Sequence, residues 1–162
     1  MEAVAAHAKV GKATLYRWWS NKAELVVDAF VSVVERDLRF SVTGPVKKTF
    51  RDQMHNWALA FRSPLGQVIA AVIGAGQSDP EILQAFRTHW MEPRRVEARK
   101  LLAHAVEVGE INGDIDFDTF LDLLYGPLYL RLLLKNAPLT HEFVDVVFDT
   151  FMPRLGPGND QR

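Results

Sequence analysis

Residues 4–25 read Val4-Ala5-Ala6-His7-Ala8-Lys9-Val10-Gly11-Lys12-Ala13-Thr14-Leu15-Tyr16-Arg17-Trp18-Trp19-Ser20-Asn21-Lys22-Ala23-Glu24-Leu25. The pattern is a short helix, a tight turn, a second short helix and the start of a third. Val4, Ala5 and Ala8 give the first helix an apolar face of mostly small side chains. Such a face lets a second helix cross close by at the steep angle of a helix-turn-helix. Lys9-Val10-Gly11 is the turn, and Gly11 is a tolerated cap for the second helix. Leu15 and Trp19 lie four apart and point back to the core. Lys22 opens the third helix behind Ser20 and Asn21, either of which can cap it.

Lys12, Thr14, Tyr16 and Arg17 are left for the outer face of the second helix. Phosphate oxygens are bound by hydroxyls, ammonium groups and helix N-terminal amides, and a helix of this size fits a major groove. Spacing alone leaves an ordinary solvated face open as the alternative.

The run Val-Ala-x-x-Ala-x-Val-Gly-Lys-Ala-Thr-Leu-Tyr-Arg-Trp-Trp-x-x-Lys-x-x-Leu resembles the DNA-binding signature of the TetR family of transcriptional regulators. The resemblance implies phosphate contacts for Thr14, Tyr16 and Lys22. It places Lys12, Ala13 and Arg17 nearest the base edges, and Leu15 and Trp19 in the core. Three positions depart from the family pattern. Lys9 stands where a turn glycine is usual, which implies a strained or altered turn. Gly11 replaces a capping serine. Trp18 replaces a polar histidine and is expected to pack on the sugar-phosphate backbone or to cover the domain. The family also carries a helix before this pair, and the chain begins at Met1 inside or just before the second helix. The expectation is an incomplete, loosened head on a folded body.

The whole chain has 162 residues, 48% of them apolar, with a net charge of −1 and no cysteine. That is enough for a small head on a larger body with a sizeable core. Without cysteine there are no disulfides or thiolate metal sites, which fits a cytoplasmic protein. No secretory signal pattern opens the chain. Residues 1–25 carry a charge of +2 and the rest −3, a weak bias of the head towards nucleic acid.

Periodicity predicts an all-α chain. A long connecting helix runs from about Lys22 to Phe40 and would act as a lever on the head. The body, residues 41–155, opens after Thr43-Gly44-Pro45. Its helices are expected at about Val46–Arg62, Leu65–Ala75, and Ile82 through a break at Pro93 to Val108. Two more follow at Phe117–Lys135 and Thr140–Met152. Asp79 and Pro80 form a stop-and-start signal. The mixed charges from Glu92 to Lys100 read as a solvated face. Asp114-Ile115-Asp116-Phe117-Asp118 fails as a calcium loop, because Thr119 and Tyr125 occupy the positions of the glycine and the bidentate glutamate. A turn at Asn112-Gly113 and an Asp cap fit better. Residues 156–162 are expected to be a disordered tail.

Phe117–Lys135 is apolar nearly all round, and Thr140–Met152 has one apolar stripe. One larger core burying both is the alternative, but so small a body can hardly cover them, and a second copy of the chain is expected on them, with Leu132 and Phe148 at the contact. The family plan implies the same: body helices around a ligand site, the last two forming a dimer bundle. Trp57, Phe61, Phe86, Trp90, Tyr125 and Tyr129 are too many large aromatics for one tight core. With Gln67 and His89 as polar handles they suggest a site for a small apolar or aromatic effector, held open by a kink at Gly126-Pro127. Simple core packing is the alternative.

The function expected is a ligand-responsive transcriptional regulator, a repressor, binding a palindromic DNA operator as a homodimer. An all-helical adaptor or small-molecule binder without DNA binding is the alternative. An enzyme is not expected. The histidines His7, His55, His89, His104 and His141 lack metal-ligand spacing, no phosphate loop or serine elbow occurs, and no cofactor is implied.

Overall fold

The computed structural model describes residues 1–34 and 44–156, and the regular structure among them is entirely helical. Helices α1 (Glu2–Ala8) and α2 (Lys12–Trp18) form the head, and α3 (Lys22–Val34) leads out of it. The body comprises α4 (Val46–Arg62), α5 (Pro64–Gly76), α6 (Pro80–Phe86), a π-helical turn (Arg87–Met91), α7 (Glu92–Glu107), α8 (Phe117–Leu134), α9 (His141–Phe151) and a closing 3₁₀ turn (Met152–Leu155). The expected continuation of α3 to Phe40 and the expected tail beyond Gly156 lie outside the described residues.

Local chemistry explains most boundaries. Asn21 Oδ1 accepts from the Glu24 amide at 2.9 Å while the Glu24 carboxylate accepts from the Ser20 amide at 2.8 Å, a reciprocal cap for α3. Asp79, Asp116 and Thr140 accept amide hydrogens at the starts of α6, α8 and α9. Asn112 Oδ1 accepts from the Asp114 amide in the predicted turn. The N-terminus of α4 has no cap of its own, and Glu110 reaches across to accept from the Val46 and Lys47 amides. A carboxylate there also complements the helix dipole.

One reading of the body changes. The break expected at Pro93 is a π-helical turn in one continuous run, in which the Glu92 amide bonds back to the Arg87 carbonyl. Proline has no N–H for the carbonyl four residues back, so the turn before it widens rather than ends. Helix α8 runs unbroken through Pro127.

The corner between α4 and α5 bends by 85°. It closes on Gly66, where a Cβ would stand 2.0 Å from the Phe61 carbonyl oxygen. No single helix among the described residues is long and apolar enough to cross a membrane.

The core runs through the body along α4, α7, α8 and α9, with Phe50, Met54, Leu102, Phe120, Leu124, Leu128 and Val144 fully buried. The head is thin by comparison. Ala5 and Leu15 are buried, but Val4 and Ala8 are exposed and Trp19 and Leu25 only half-buried. Seven-residue helices have little more than one face to share. Trp19 follows the last turn of α2 in extended backbone, and its indole Nε1 donates to Asp28 of α3 at 2.9 Å. Lys9 takes the left-handed conformation, φ 54°, that a turn glycine would adopt without strain. For a lysine this costs on the order of 1 kcal/mol.

Candidate functional site

Two surfaces carry chemistry. The first is the outside of α2. Ala13, Thr14, Tyr16 and Arg17 are exposed, and Lys22 is exposed at the start of α3. Trp18 is 70% exposed, with the Arg17 guanidinium 5.9 Å from its ring centre. An indole this bare gains nothing from the domain core, which removes the reading of Trp18 as a cover. Lys12 pairs with Glu2 of α1. This exposed pair ties the two short helices together and contributes little to stability.

The second is a cavity of about 150 Å³ in the body. Helix α4 supplies Gln53 and Trp57, and the π-helical turn supplies Trp90 and Met91. Arg94, Arg95 and Ala98 of α7 and Leu121, Asp122, Tyr125, Gly126 and Tyr129 of α8 complete it. Asp122 and Gly126 are exposed and mark its mouth.

Aromatic edges build the wall. Trp57 meets Trp90 at 5.8 Å between ring centres, Tyr125 at 6.1 Å and Tyr129 at 5.8 Å. Burial holds the Tyr125 phenol well above its usual range. Burial also pushes Tyr129 up to about 12, although the Trp90 N–H, Arg94 and Arg95 pull the other way. Both phenols are therefore neutral donors at neutral pH. Tyr125 donates its hydroxyl hydrogen to Gln53 Oε1. The Arg94 guanidinium lies 3.2 Å from the Trp90 ring centre and donates to the Trp90 carbonyl.

At the mouth, Arg95 bonds Asp118 and Asp122, and Arg99 bonds Asp118 and Glu92. The Arg95 hydrogen bond is the largest influence on Asp118. With Arg99 it outweighs burial and holds that carboxyl below its usual range.

Of the eight residues expected at an effector site, Trp57, Trp90, Tyr125 and Tyr129 meet at this cavity. Phe61 and Phe86 stand one layer behind it: Phe61 packs on Trp57 and Tyr129, and Phe86 on Trp90. Gln67 and His89 do not reach it. Gln67 is exposed on α5 beside a separate groove that runs to Arg131 and Lys135. His89 is exposed on the same π-helical turn that holds the buried Trp90.

Sequence reasoning missed Gln53, Met91, Arg94 and Arg95. The signal was present: Met91, Arg94, Arg95, Ala98 and Leu102 follow helical spacing, with two arginines on an otherwise apolar stripe.

On the body surface, α8 leaves Leu123, Leu130, Leu133 and Leu134 uncovered and α9 leaves Val146, all between 42% and 66% exposed. Leu123, Leu130 and Leu134 fall on one stripe. Leu132 and Phe148, expected at a contact with a second copy, are buried inside the chain instead.

Comparison with known proteins matches residues 1–29 to the family model "Bacterial regulatory proteins, tetR family". Residues 41–151 match the model "Tetracyclin repressor-like, C-terminal domain". The chain is 36% identical to the uncharacterized HTH-type transcriptional regulator YdeS of Bacillus subtilis, over 93% of this chain and 77% of that protein. It is 29% identical to the DNA-binding transcriptional repressor TetR of Mycobacteroides abscessus, over 98% of this chain and 84% of that protein. The crystal structure of the TetR family transcription regulator SCO0332 superposes with a TM-score of 0.84 at 34% identity, covering 96% of this chain and 86% of that one.

Proposed function

The chain belongs to the TetR family of transcriptional regulators, and from that premise we propose that it is a ligand-responsive repressor that binds a palindromic operator as a homodimer. Residues 1–40 would read the operator, and residues 41–155 would bind the effector and dimerise. Thr14, Tyr16 and Lys22 hold phosphates, which sets the register of α2 in the major groove. Lys12, Ala13 and Arg17 face base edges, and Trp18 lies against the backbone. The relatives it resembles are described as transcriptional regulators, so the role is binding rather than catalysis, in the cytoplasm.

The observation that carries the reading is the path of α3. Its first turn holds Lys22, exposed, directly after α2. Two turns on, Phe30 is buried with its ring centre 4.5 Å from that of Trp90, edge to face. Trp90 is in turn a wall of the cavity. A small apolar or aromatic molecule that displaces Trp90 therefore pushes on the helix that carries the head. It shifts the operator equilibrium by as much as its affinities for the two head positions differ.

The uncovered leucines of α8 and Val146 of α9 suit a two-fold contact, in which the same stripe meets itself. Selection of bound sequences from random duplex DNA tests the proposal. A two-fold symmetric motif is expected, and enrichment of no motif contradicts it.

A further inference from the structure

The cavity has a polarity that its aromatic wall hides. Trp and Arg side chains can only donate hydrogen bonds. The Trp90 side chain is fully buried, and its Nε1, which faces the Tyr129 hydroxyl, lacks a well-formed hydrogen bond. Gln53 spends its oxygen on the Tyr125 hydroxyl, which leaves its amide hydrogens as its remaining polar offer. Tyr129 is a neutral phenol with a hydrogen to give. The carboxylate of the lining, Asp122, is engaged by Arg95. Asp118 and Glu92 nearby are also held, by Arg95 and Arg99. Donors thus outnumber acceptors at the cavity, where the carboxylate is already engaged and the phenol oxygens of Tyr125 and Tyr129 are the weak acceptors left. A buried donor without an acceptor is costly, so the occupant has to supply acceptor atoms.

Size and shape narrow it further. A cavity of about 150 Å³ takes up one benzene-sized ring, and the edges of Trp57, Trp90, Tyr125 and Tyr129 favour a flat aromatic one. The Arg94 guanidinium over Trp90 adds a positive charge beside that ring, and its planar fork matches a carboxylate.

We propose that the effector is a single-ring aromatic acid, its ring among Trp57, Trp90, Tyr125 and Tyr129 and its carboxylate towards Arg94 and the Trp90 N–H. This rests on the reading of the cavity as the effector site.

The test is calorimetric titration of the full chain with three probes of one shape: benzoate, benzamide and benzylamine. Benzoate is expected to bind at least tenfold more tightly than benzylamine, with benzamide between them. Arg94→Leu should lower benzoate affinity tenfold or more and leave benzamide within about threefold. Gly126→Leu, which places a side chain where the mouth now has open space, should lower the affinity for benzoate and benzamide together.

Equal binding of benzoate and benzylamine, or no binding of benzoate, overturns the assignment even if both variants fail to fold. A parallel operator titration separates this from the wider reading. Release of operator by some other compound, with benzoate inert, sinks the aromatic acid alone. Tight benzoate binding without operator release keeps the ligand class and sinks the effector role.

Discussion

Phe30 and Trp90 meet edge to face with ring centres 4.5 Å apart, and this contact joins the helix of the head to the wall of the cavity. A leucine at position 30 would keep most of the volume and remove the ring edge. Phe30→Leu is expected to lower stability by about 1 kcal/mol, the worth of such an aromatic pair. The larger effect should fall on coupling. Effector affinity stays close to that of the unmodified chain, while the ratio of operator affinities with and without effector shrinks towards one. Paired titrations of effector and operator check both halves.

Leu130 sits in the middle of the uncovered stripe of α8, 51% exposed. Buried against a partner, each such leucine contributes about 1.5–3 kcal/mol, and two-fold symmetry counts each change twice. Leu130→Glu is expected to give a folded monomer, seen as half the mass by light scattering with unchanged helical circular dichroism. Leu132→Glu and Phe148→Glu place a charge inside the chain's own core and should lose the helical signal as well. A clean monomer of the unmodified chain at micromolar concentration contradicts the dimer.

Lys22 and Arg17 should separate by type of contact. With Lys22 on a phosphate as proposed, Lys22→Ala lowers affinity for every sequence, and the slope of log affinity against log salt shrinks by about 1 per chain. Arg17→Ala should relax the base preference at one position of each half-site, at about 1–3 kcal/mol. Fluorescence anisotropy on a panel of duplexes at several salt concentrations reads both.

Arg95 and its two carboxylates predict an acid limb of stability. Asp118 is held below its usual range, chiefly by the Arg95 hydrogen bond. A group whose folded pKa is depressed stabilises the fold above its unfolded value and loses that contribution as pH falls through the folded one. The melting temperature should therefore fall as pH drops below about 4, the unfolded value of an aspartate. Asp118→Asn should flatten that part of the curve. An unchanged slope in the variant would remove Asp118 from the explanation.

Much of this was legible in the chain because it depends on local rules. Asp79, Asp116 and Thr140 announce helix starts through side-chain oxygens that accept nearby amide hydrogens, and they do so in the structure. Lys9 in a glycine's place foretold strain, and its φ of 54° bears that out. Trp57, Trp90, Tyr125 and Tyr129 stand out by bulk, and they meet at the cavity. What was not legible depends on register. The π-helical turn at Arg87–Met91 departs from the α-helical period by which faces are read from sequence. On it His89 lies outside and Trp90 inside, a difference that composition cannot show. The charged run after it looked solvated because opposite charges alternate there. Its helical phase nevertheless turns Arg94 and Arg95 inward beside Ala98. Gly66 is invisible until the corner closes on the Phe61 carbonyl.

Sequence-specific operator binding is tested by comparing affinity for a duplex recovered by selection with affinity for a scrambled duplex of the same composition, at physiological salt and across a salt series. The predicted result is at least a thousandfold preference for the selected duplex, with log affinity falling linearly as log salt rises. Equal affinity for the two duplexes, or binding indifferent to salt, would contradict it.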